Sequence, residues 1–185
     1  MHILSCVISG SGDIEEQEVY NMIRTREATP DDAAAIAHIY NQGIEDRIAT
    51  YETQLRTPED IRAWFDGIHP IVVAEDEHGV IAFGSTSTYR PRACYAGIAE
   101  CSVYVARERR GTGVGRLTLE ALLQAAERAG FWKLVSRIFV ENTASRALVG
   151  SLGFREVGIY EKHAKHEGIW TDVVIVERLI PANLI

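Results

Sequence analysis

The sequence lacks the features that mark several classes of protein. Its three cysteines, Cys6, Cys94 and Cys101, are widely spaced and odd in number, which gives no zinc spacing and favours a reduced protein over a disulfide-bonded one. His163 and His166 lie close together in the chain, but no matching ligand pair accompanies them. No apolar run approaches the roughly 20 residues that span a bilayer. We therefore expect a cytoplasmic protein without a metal site or a membrane segment.

Positive charge is also scarce. The 185 residues include 19 Lys and Arg against 26 Asp and Glu, which gives a formal net charge of −7. Because phosphate backbones are held by clustered Lys and Arg, we expect no nucleic-acid partner. Hydrophobic residues make up 46% of the chain, and its length suits one domain with a buried core.

The N-terminal part of the chain differs in composition from the rest. The composition of Gly10, Ser11 and Gly12 is typical of a flexible stretch, acidic residues dominate positions 13–18, and Met22 opens directly onto a strand-like run. Segments of this kind near chain ends are often weakly tied to a fold. We expect an N-terminal extension over residues 1–21 and one folded domain over residues 22–185.

Two helix starts share one chemical signature. The segments TPDD from Thr29 and TPED from Thr57 each place a hydroxyl at the cap, proline at the first helical position and acids in the first turn. The polar and aromatic connector between the helices, residues 41–56, is long enough to line a pocket. The apolar side chains at helical spacing are Ala33, Ile36, Ala37 and Tyr40 in the first helix and Ile61, Trp64, Phe65 and Ile68 in the second.

The remaining chain alternates strand and helix patterns. Gly84 interrupts one strand-like run and indicates a weak point or a bulge. The resulting order, β-α-α-β-β-β-α-β-α-β-β, predicts a mixed α/β fold around one sheet. The strand-like runs cover residues 71–75, 80–88, 98–105, 133–140, 154–161 and 170–179, and the helical patterns cover residues 117–126 and 143–152.

A glycine-rich segment, RGTGVG from Arg110 to Gly115, lies between a predicted strand and a predicted helix. Alternate glycines let the backbone turn tightly and approach phosphate oxygens, and the helix start presents free N–H groups to the anion. Arg107 and Arg109 add positive charge nearby. Neither a P-loop nor a dinucleotide fingerprint matches the spacing. The segment predicts a pyrophosphate site, and a tight turn that only caps the helix is the alternative.

Together with the preceding strand, this segment, VYVARERRGTGVG, resembles the R/Q-x-x-G-x-G/A acyl-CoA motif of the GCN5-related N-acetyltransferases, the GNAT superfamily. A second region agrees, because ENTAS from Glu141 and LGF from Leu152 resemble the N-x-x-S and LGF elements of that superfamily. The resemblance extends from Ile23 to Ile180. It implies a single-domain fold with a central, mostly antiparallel twisted sheet flanked by helices, and acetyl-CoA as co-substrate.

Within the superfamily the chain is most similar to the phosphinothricin acetyltransferase branch. Residues 89–95, 99–105 and 168–172 resemble the substrate loop, the catalytic strand and the G-x-W-x-D element of that branch. Residues 40–52 and 161–163 look closest to the arsinothricin acetyltransferases. This resemblance implies acetylation of the α-amino group of a small glutamate-like amino acid or antimetabolite, such as phosphinothricin, arsinothricin or methionine sulfoximine. It also implies resistance as the biological outcome and a homodimer.

The resemblance implies roles for individual residues. Glu100 is the expected general base, and backbone N–H groups near Val105 are expected to polarise the thioester carbonyl. Three alternatives stay open: Glu100 only pairs with an arginine, Asn142 caps a helix as well as or instead of contacting pantetheine, and Cys101 acts as a covalent nucleophile. Strand alternation turns Cys101 away from Glu100 and argues against the last of these. The residues expected to hold acetyl-CoA are Val103, Val105, Arg110, Gly111, Thr112, Gly113, Val114, Gly115, Asn142 and Ser145.

The expected substrate residues are Arg90, Arg92, Tyr51 and Tyr95. Two guanidinium forks suit a carboxylate and a second oxyanion on one molecule, and a solvated rim is the alternative for both arginines. The two tyrosines are expected to wall the substrate side chain, or else to serve in ordinary packing.

The sequence departs from the family at two places. Val149 stands where many members carry a tyrosine that protonates the leaving thiolate, so no general acid is assigned. His166 and Glu167 stand where the branch often has Lys-His or Lys-Phe. Three other functions stay open, namely acetylation of protein or peptide N-termini, acetylation of polyamines, and non-catalytic acyl-CoA sensing.

Overall fold

The structure, a computed structural model, describes residues 23–184 and folds them around one seven-stranded sheet. The predicted N-terminal extension lies outside the described residues. None of the described helices is long and apolar enough to cross a membrane. The strands are β1 Arg24–Glu27, β2 Ile71–Asp76, β3 Gly79–Thr88, β4 Ile98–Val105, β5 Lys133–Phe139, β6 Arg155–His166 and β7 Ile169–Leu179. The α-helices are α1 Ala33–Asp46, α2 Pro58–Arg62, α3 Val114–Arg128 and α4 Thr143–Ser151.

The sheet has the strand order β1-β2-β3-β4-β5-β7-β6. Its neighbouring strands are antiparallel except β4 and β5, which run parallel. The parallel pair is joined through α3, since a parallel connection must carry the chain back to the same end of the sheet. The predicted order of elements and the predicted mixed α/β fold are both confirmed.

The start of α1 shows how the sequence builds one edge of the domain. The Asp32 carboxylate accepts the Thr29 backbone N–H at 2.8 Å, and two Arg26 nitrogens each donate to it at 2.8 Å. The Arg26 hydrogen bonds lower the pKa of Asp32. The predicted apolar face of α1 packs with Ile61, Phe83 and other buried residues on one side of the sheet.

The second helix is shorter than the apolar spacing predicts. It ends at Arg62, and Ile68 is 65% exposed instead of packing with the core. The reason is local: the Asp66 carboxylate accepts the backbone N–H groups of Ile68 and His69, each at 2.8 Å. A side chain that bonds to nearby backbone groups competes with the helix and turns the chain.

The opposite side of the sheet is covered by α3 and α4. Gly84 faces α3, and a Cβ there would lie 3.2 Å from Leu122 Cδ2. The bulge interpretation of Gly84 was therefore wrong, because the register shift between β2 and β3 falls at Ala74 and Glu75 instead. The glycine permits close packing of the helix on the strand.

Candidate active site

The site forms where the two parallel strands separate. The β4–β5 ladder pairs Ile98 with Lys133 and ends at the pair Glu100 and Val135. Beyond that pair β4 continues to Val105 and β5 continues to Phe139 without pairing to each other. A gap therefore opens in the middle of the sheet, with the ends of both strands as its walls.

The β4 wall carries backbone groups without a strand partner. The Ala106 N–H donates to the Ile81 carbonyl at 2.8 Å, and Ala82 is paired with Val105. In this antiparallel pattern the N–H and C=O of Val105, and of Val103 two residues earlier, point away from β3. They face the gap, where an extended amide-containing chain can take the place of a strand.

Two adjoining cavities occupy the gap. The strand cavity, about 410 Å³, is lined by Glu100 and Ser102 from β4 and by Arg137 and Phe139 from β5, among others. The glycine-loop cavity, about 340 Å³, is lined by the glycine segment and by Arg109 and Arg110. The residues common to both linings are Ile48, Ala49, Val103, Tyr104, Asn142, Ser145 and Leu148.

The glycine segment has the conformation that its composition predicts. Gly111 and Gly113 have φ values of 77° and 86°, which side chains with a Cβ rarely adopt. Gly115 lies against β4 and α4, since a Cβ there would be 3.4 Å from Val105 Cγ2 and 3.3 Å from Leu148 Cδ2. No side-chain oxygen of the described residues caps α3 at Gly113. The helix start is therefore available to an anion.

Two of the residues predicted to hold acetyl-CoA, Thr112 and Val114, line neither cavity. The Thr112 hydroxyl donates to the Arg109 carbonyl at 2.6 Å, and this side chain does not line the glycine-loop cavity. Val114 is fully buried with Ala74, Ile81 and other small apolar residues. The roles predicted for these two residues stay predictions.

The arginines near the glycine segment are paired with acids. Asp46 at the end of α1 accepts hydrogen bonds from Arg107 at 2.7 Å and from Arg110 at 2.6 Å. The hydrogen bond from Arg107, followed by that from Arg110, lowers the pKa of Asp46. Arg109 pairs with Asp76. The positive charge that the sequence places here is therefore partly neutralised, which was not anticipated from the sequence.

Asn142 caps a helix, which is one of the two roles considered for it. Its Oδ1 accepts the Ser145 N–H at 3.0 Å and caps α4, while its Nδ2 donates to the Ile48 carbonyl at 3.0 Å. Asn142 and Ser145 line both cavities. Contact with pantetheine stays a prediction.

Glu100 lines the strand cavity and pairs with Arg137. The pairing with an arginine that was considered for Glu100 is therefore present, and whether Glu100 also acts as a base stays a prediction. Arg137 was not predicted from the sequence, although strand alternation places it on the same face of β5 as Val135, opposite Glu100.

Cys101 belongs to the core. It is 4% exposed and packs with Leu119 and other residues beneath α3. Burial, together with the neighbouring Glu100 charge, raises the pKa of the Cys101 thiol to about 12. Cys101 lines the strand cavity, but a protonated thiol is a poor nucleophile. The structure thus argues against the covalent alternative.

Tyrosines form much of the cavity wall. Tyr51 lies edge-on to Phe139 with ring centroids 4.8 Å apart, and its hydroxyl is 2.9 Å from Thr171 Oγ1. The Tyr104 hydroxyl donates to the Ala49 carbonyl at 3.2 Å, and burial raises the pKa of Tyr104. The connector between α1 and α2, which supplies Tyr51 and Ala49, therefore lines the strand cavity as predicted.

The other predicted substrate residues lie elsewhere in this single chain. Arg90, Arg92 and Tyr95 line neither cavity. Arg90 lies over the Tyr89 ring at 5.2 Å, and Tyr95 lies edge-on to the same ring at 5.8 Å. Their contact with a substrate stays a prediction.

The structure also shows where the residues lie that depart from the family pattern. Val149 lines the strand cavity and is 8% exposed, so it offers no proton there. Glu167 pairs with Arg47. The His166 ring lies 6.1 Å from that of Tyr51, while His163 lines the strand cavity. No group of three or more metal-binding side chains occurs in residues 23–184.

Comparison with known proteins identifies the family of this chain. The family model described as an acetyltransferase (GNAT) domain matches residues 23–155. The chain belongs to the GNAT acetyltransferase family. It is therefore an N-acetyltransferase, and the acyl donor of its family is acetyl-CoA.

Individual relatives and solved structures agree with this assignment. The chain is 33% identical over 160 residues to an L-methionine sulfoximine/L-methionine sulfone acetyltransferase of Pseudomonas paraeruginosa, covering 82% of this chain and 91% of the relative. A phosphinothricin acetyltransferase of Sinorhizobium meliloti, solved with acetyl-CoA, superimposes with a TM-score of 0.79 at 30% identity, covering 86% and 89% of the two chains. A ribosomal-protein-alanine N-acetyltransferase of Brucella melitensis superimposes with a TM-score of 0.81 at 32% identity, covering 85% and 99%.

Proposed function

We propose that this acetyltransferase acts, with acetyl-CoA, on the α-amino group of small glutamate-like amino acids and antimetabolites, such as phosphinothricin, arsinothricin and methionine sulfoximine. The observation that carries the proposal is the position of Glu100 in a strand cavity that adjoins the glycine-loop cavity. The expected base and the expected pyrophosphate site therefore border one connected gap in the sheet. The names of the Pseudomonas and Sinorhizobium proteins support acceptors of this size and chemistry.

The residues of the gap fit an acyl-CoA. The glycine segment offers backbone N–H groups and the uncapped start of α3, and Arg110 lines the same cavity. The backbone edge of β4 at Val103 and Val105 has no strand partner, although the Val105 carbonyl accepts a hydrogen bond from Arg110 Nε at 3.2 Å. Such an edge suits the amide groups of an extended pantetheine arm. Acetyl-CoA, when bound, supplies an acetyl thioester for transfer to an amine. The N–H of Val105 would donate to the thioester oxygen and stabilise the negative charge that develops there.

Glu100 would remove a proton from the acceptor. An α-amino group is largely an ammonium ion near neutral pH, and only the neutral amine has a lone pair for attack. The Glu100 carboxylate is 28% exposed, so that it can take this proton directly or through a water. General base catalysis of this kind is worth about 10²–10⁴-fold in rate.

The acceptor alternatives differ in the charges that they require. A polyamine requires several anionic groups, whereas Glu100 is the one acidic residue among the described residues that line the strand cavity, and Arg137 already pairs with it. A peptide N-terminus is the second candidate, because the Brucella neighbour bears the name of a ribosomal-protein-alanine acetyltransferase. A non-catalytic acyl-CoA sensor would not require a carboxylate in a cavity that adjoins the glycine-loop cavity.

The wider biology follows from the same proposal. Acetylation of an antimetabolite removes the charge of its amine and would confer resistance in the cytoplasm, where acetyl-CoA is made. We also propose a homodimer, since the edge strand β6 and its neighbour β7 expose apolar residues to solvent. The most exposed of these are Val157, Ile159, Tyr160, Ile169 and Trp170.

A panel of acceptors tests the proposed function. Release of the free thiol of CoA would be followed with phosphinothricin, methionine sulfoximine, arsinothricin, spermidine and a short peptide that begins with alanine. We expect turnover with the amino acids. Turnover with the peptide alone would replace the proposal by its second candidate.

A further inference from the structure

Few charged side chains line the strand cavity. Among the described residues that line it, Glu100 and Arg137 are the only members of the Asp, Glu, Lys and Arg group. Their side chains remain 28% and 44% exposed, so both charged ends are open to the cavity. One negative and one positive group thus lie in direct contact across the gap, Glu100 on the β4 wall and Arg137 on the β5 wall.

The strands fix this contact. Val135 is the β5 partner of Glu100 in the last pair of the parallel ladder, and Arg137 follows it by two residues on the same face. Arg137 therefore projects from the far wall just beyond the point of separation, and its guanidinium reaches back across the gap to Glu100. Arg137 has no other hydrogen-bond partner among the described residues.

A pair of this kind complements the head group of a free α-amino acid. That head group carries an ammonium and a carboxylate on one carbon atom, so its two charges are adjacent and opposite to those of Glu100 and Arg137. A guanidinium fork binds a carboxylate through two parallel hydrogen bonds. Peptide N-termini and polyamines lack the adjacent carboxylate and would leave Arg137 without a charged partner.

We infer that Arg137 binds the α-carboxylate of the acceptor while Glu100 receives the ammonium. Binding exchanges one ion pair inside the protein for two ion pairs with the substrate. The exchange also withdraws Arg137 from Glu100 at the moment when Glu100 must accept a proton. The inference rests on the proposed function, since it assigns the recognition of a free amino acid to a residue of that same site. It leaves Arg90 and Arg92 for the anionic side chain.

The test compares an amino acid with its own amide in two proteins. Wild type and Arg137→Gln would be assayed with methionine sulfone and with methionine sulfone amide, which keeps the amine but has no carboxylate. We expect Arg137→Gln to lower kcat/KM for the acid about 10- to 100-fold, chiefly through KM, because a hydrogen bond between charged groups is lost. For the amide we expect a change of about twofold or less, since its carboxamide makes at most a neutral contact.

Two further variants separate recognition from folding. Arg137→Lys keeps the positive charge but lacks the planar guanidinium, and its kcat/KM for the acid should lie between those of Arg137→Gln and wild type. Arg62→Gln, which breaks an exposed pair with Glu59 on α2, serves as the matched control and should behave as wild type. Acetyl-CoA affinity and the melting temperature of each variant would be measured alongside.

The outcomes are distinct. If Arg137→Gln lowers the rates of acid and amide by the same factor, Arg137 only positions Glu100 and the inference is wrong. If the variant leaves both rates unchanged, the inference is also wrong while the proposed function stands. If, in the acceptor panel, the wild type acetylates the alanine peptide and none of the amino acids, the proposed function fails and the inference fails with it.

Discussion

The Glu100 carboxylate contacts the Arg137 guanidinium at the point where β4 and β5 part. The expected base therefore lies on the β4 wall of the gap, and its pairing partner lies on the β5 wall. This relationship connects the topology of the sheet with the chemistry of the site, because the same separation that opens the cavity leaves both side chains facing it.

The base role of Glu100 predicts a loss of turnover without a loss of donor binding. In Glu100→Gln the side chain keeps its size but cannot take up a proton, so kcat should fall about 10²–10⁴-fold. Isothermal titration should give an acetyl-CoA dissociation constant close to that of wild type. The matched control is Glu77→Gln in the exposed turn between β2 and β3. A kcat for Glu100→Gln within twofold of wild type would remove Glu100 as the base.

The glycine segment predicts a specific cost for a side chain at Gly111. Its φ of 77° disfavours alanine by about 1–2 kcal/mol, although the space beside it is open. Gly111→Ala should therefore raise the dissociation constant of acetyl-CoA about 5- to 30-fold by depopulating the binding conformation of the loop. Gly150→Ala is the control, because Gly150 lies inside α4 with no heavy atom near its added Cβ. Equal affinities in both variants would contradict the cradle.

The substrate role of Arg92 predicts an effect that depends on the acceptor. Arg92→Ala should raise KM for phosphinothricin, whose side chain is anionic, by about tenfold or more. The KM for methionine sulfone, whose side chain is neutral, should change little. Arg62→Ala provides a control for the removal of an exposed arginine. An unchanged KM for phosphinothricin would contradict substrate binding by Arg92. It would support the alternative that Arg92 belongs to a solvated rim.

Asp32 predicts a pH dependence of stability. Its pKa in the folded protein is lowered below the ordinary value of 3.8 because Arg26 donates hydrogen bonds to it. A lowered folded pKa means that its stabilisation is fully present above the unfolded value and is lost as the pH falls through the folded value. The free energy of unfolding, measured by urea denaturation, should therefore be lower in Asp32→Asn than in wild type between about pH 5 and 7. The difference should shrink below about pH 4, and a difference independent of pH down to pH 2 would contradict the pairing.

The local parts of the site could be predicted from the sequence. The glycine segment, the cap at Asn142 and the strand that carries Glu100 each depend on residues that are neighbours in the chain. The helix boundary at Arg62 was missed, because an Asp66 side chain that bonds to backbone groups has no periodic signature.

The long-range parts could not be predicted. The pair of Glu100 and Arg137 spans 37 positions and depends on the parallel register. The partial neutralisation of Arg107 and Arg110 depends on Asp46, which belongs to a helix more than 60 positions away. Such contacts follow from the fold as a whole. Alternation within one strand predicts the face of the sheet on which a side chain lies, but it does not predict the residue that the side chain contacts.

The ratio of kcat/KM for phosphinothricin to that for a short peptide beginning with alanine tests the central claim most directly. Both values would come from initial rates of CoA thiol release at saturating acetyl-CoA. The account predicts a ratio of about 100 or more, since a site built around a free amino acid leaves polar groups unpaired with a peptide. A ratio below one would contradict the account and assign this acetyltransferase to peptide acceptors.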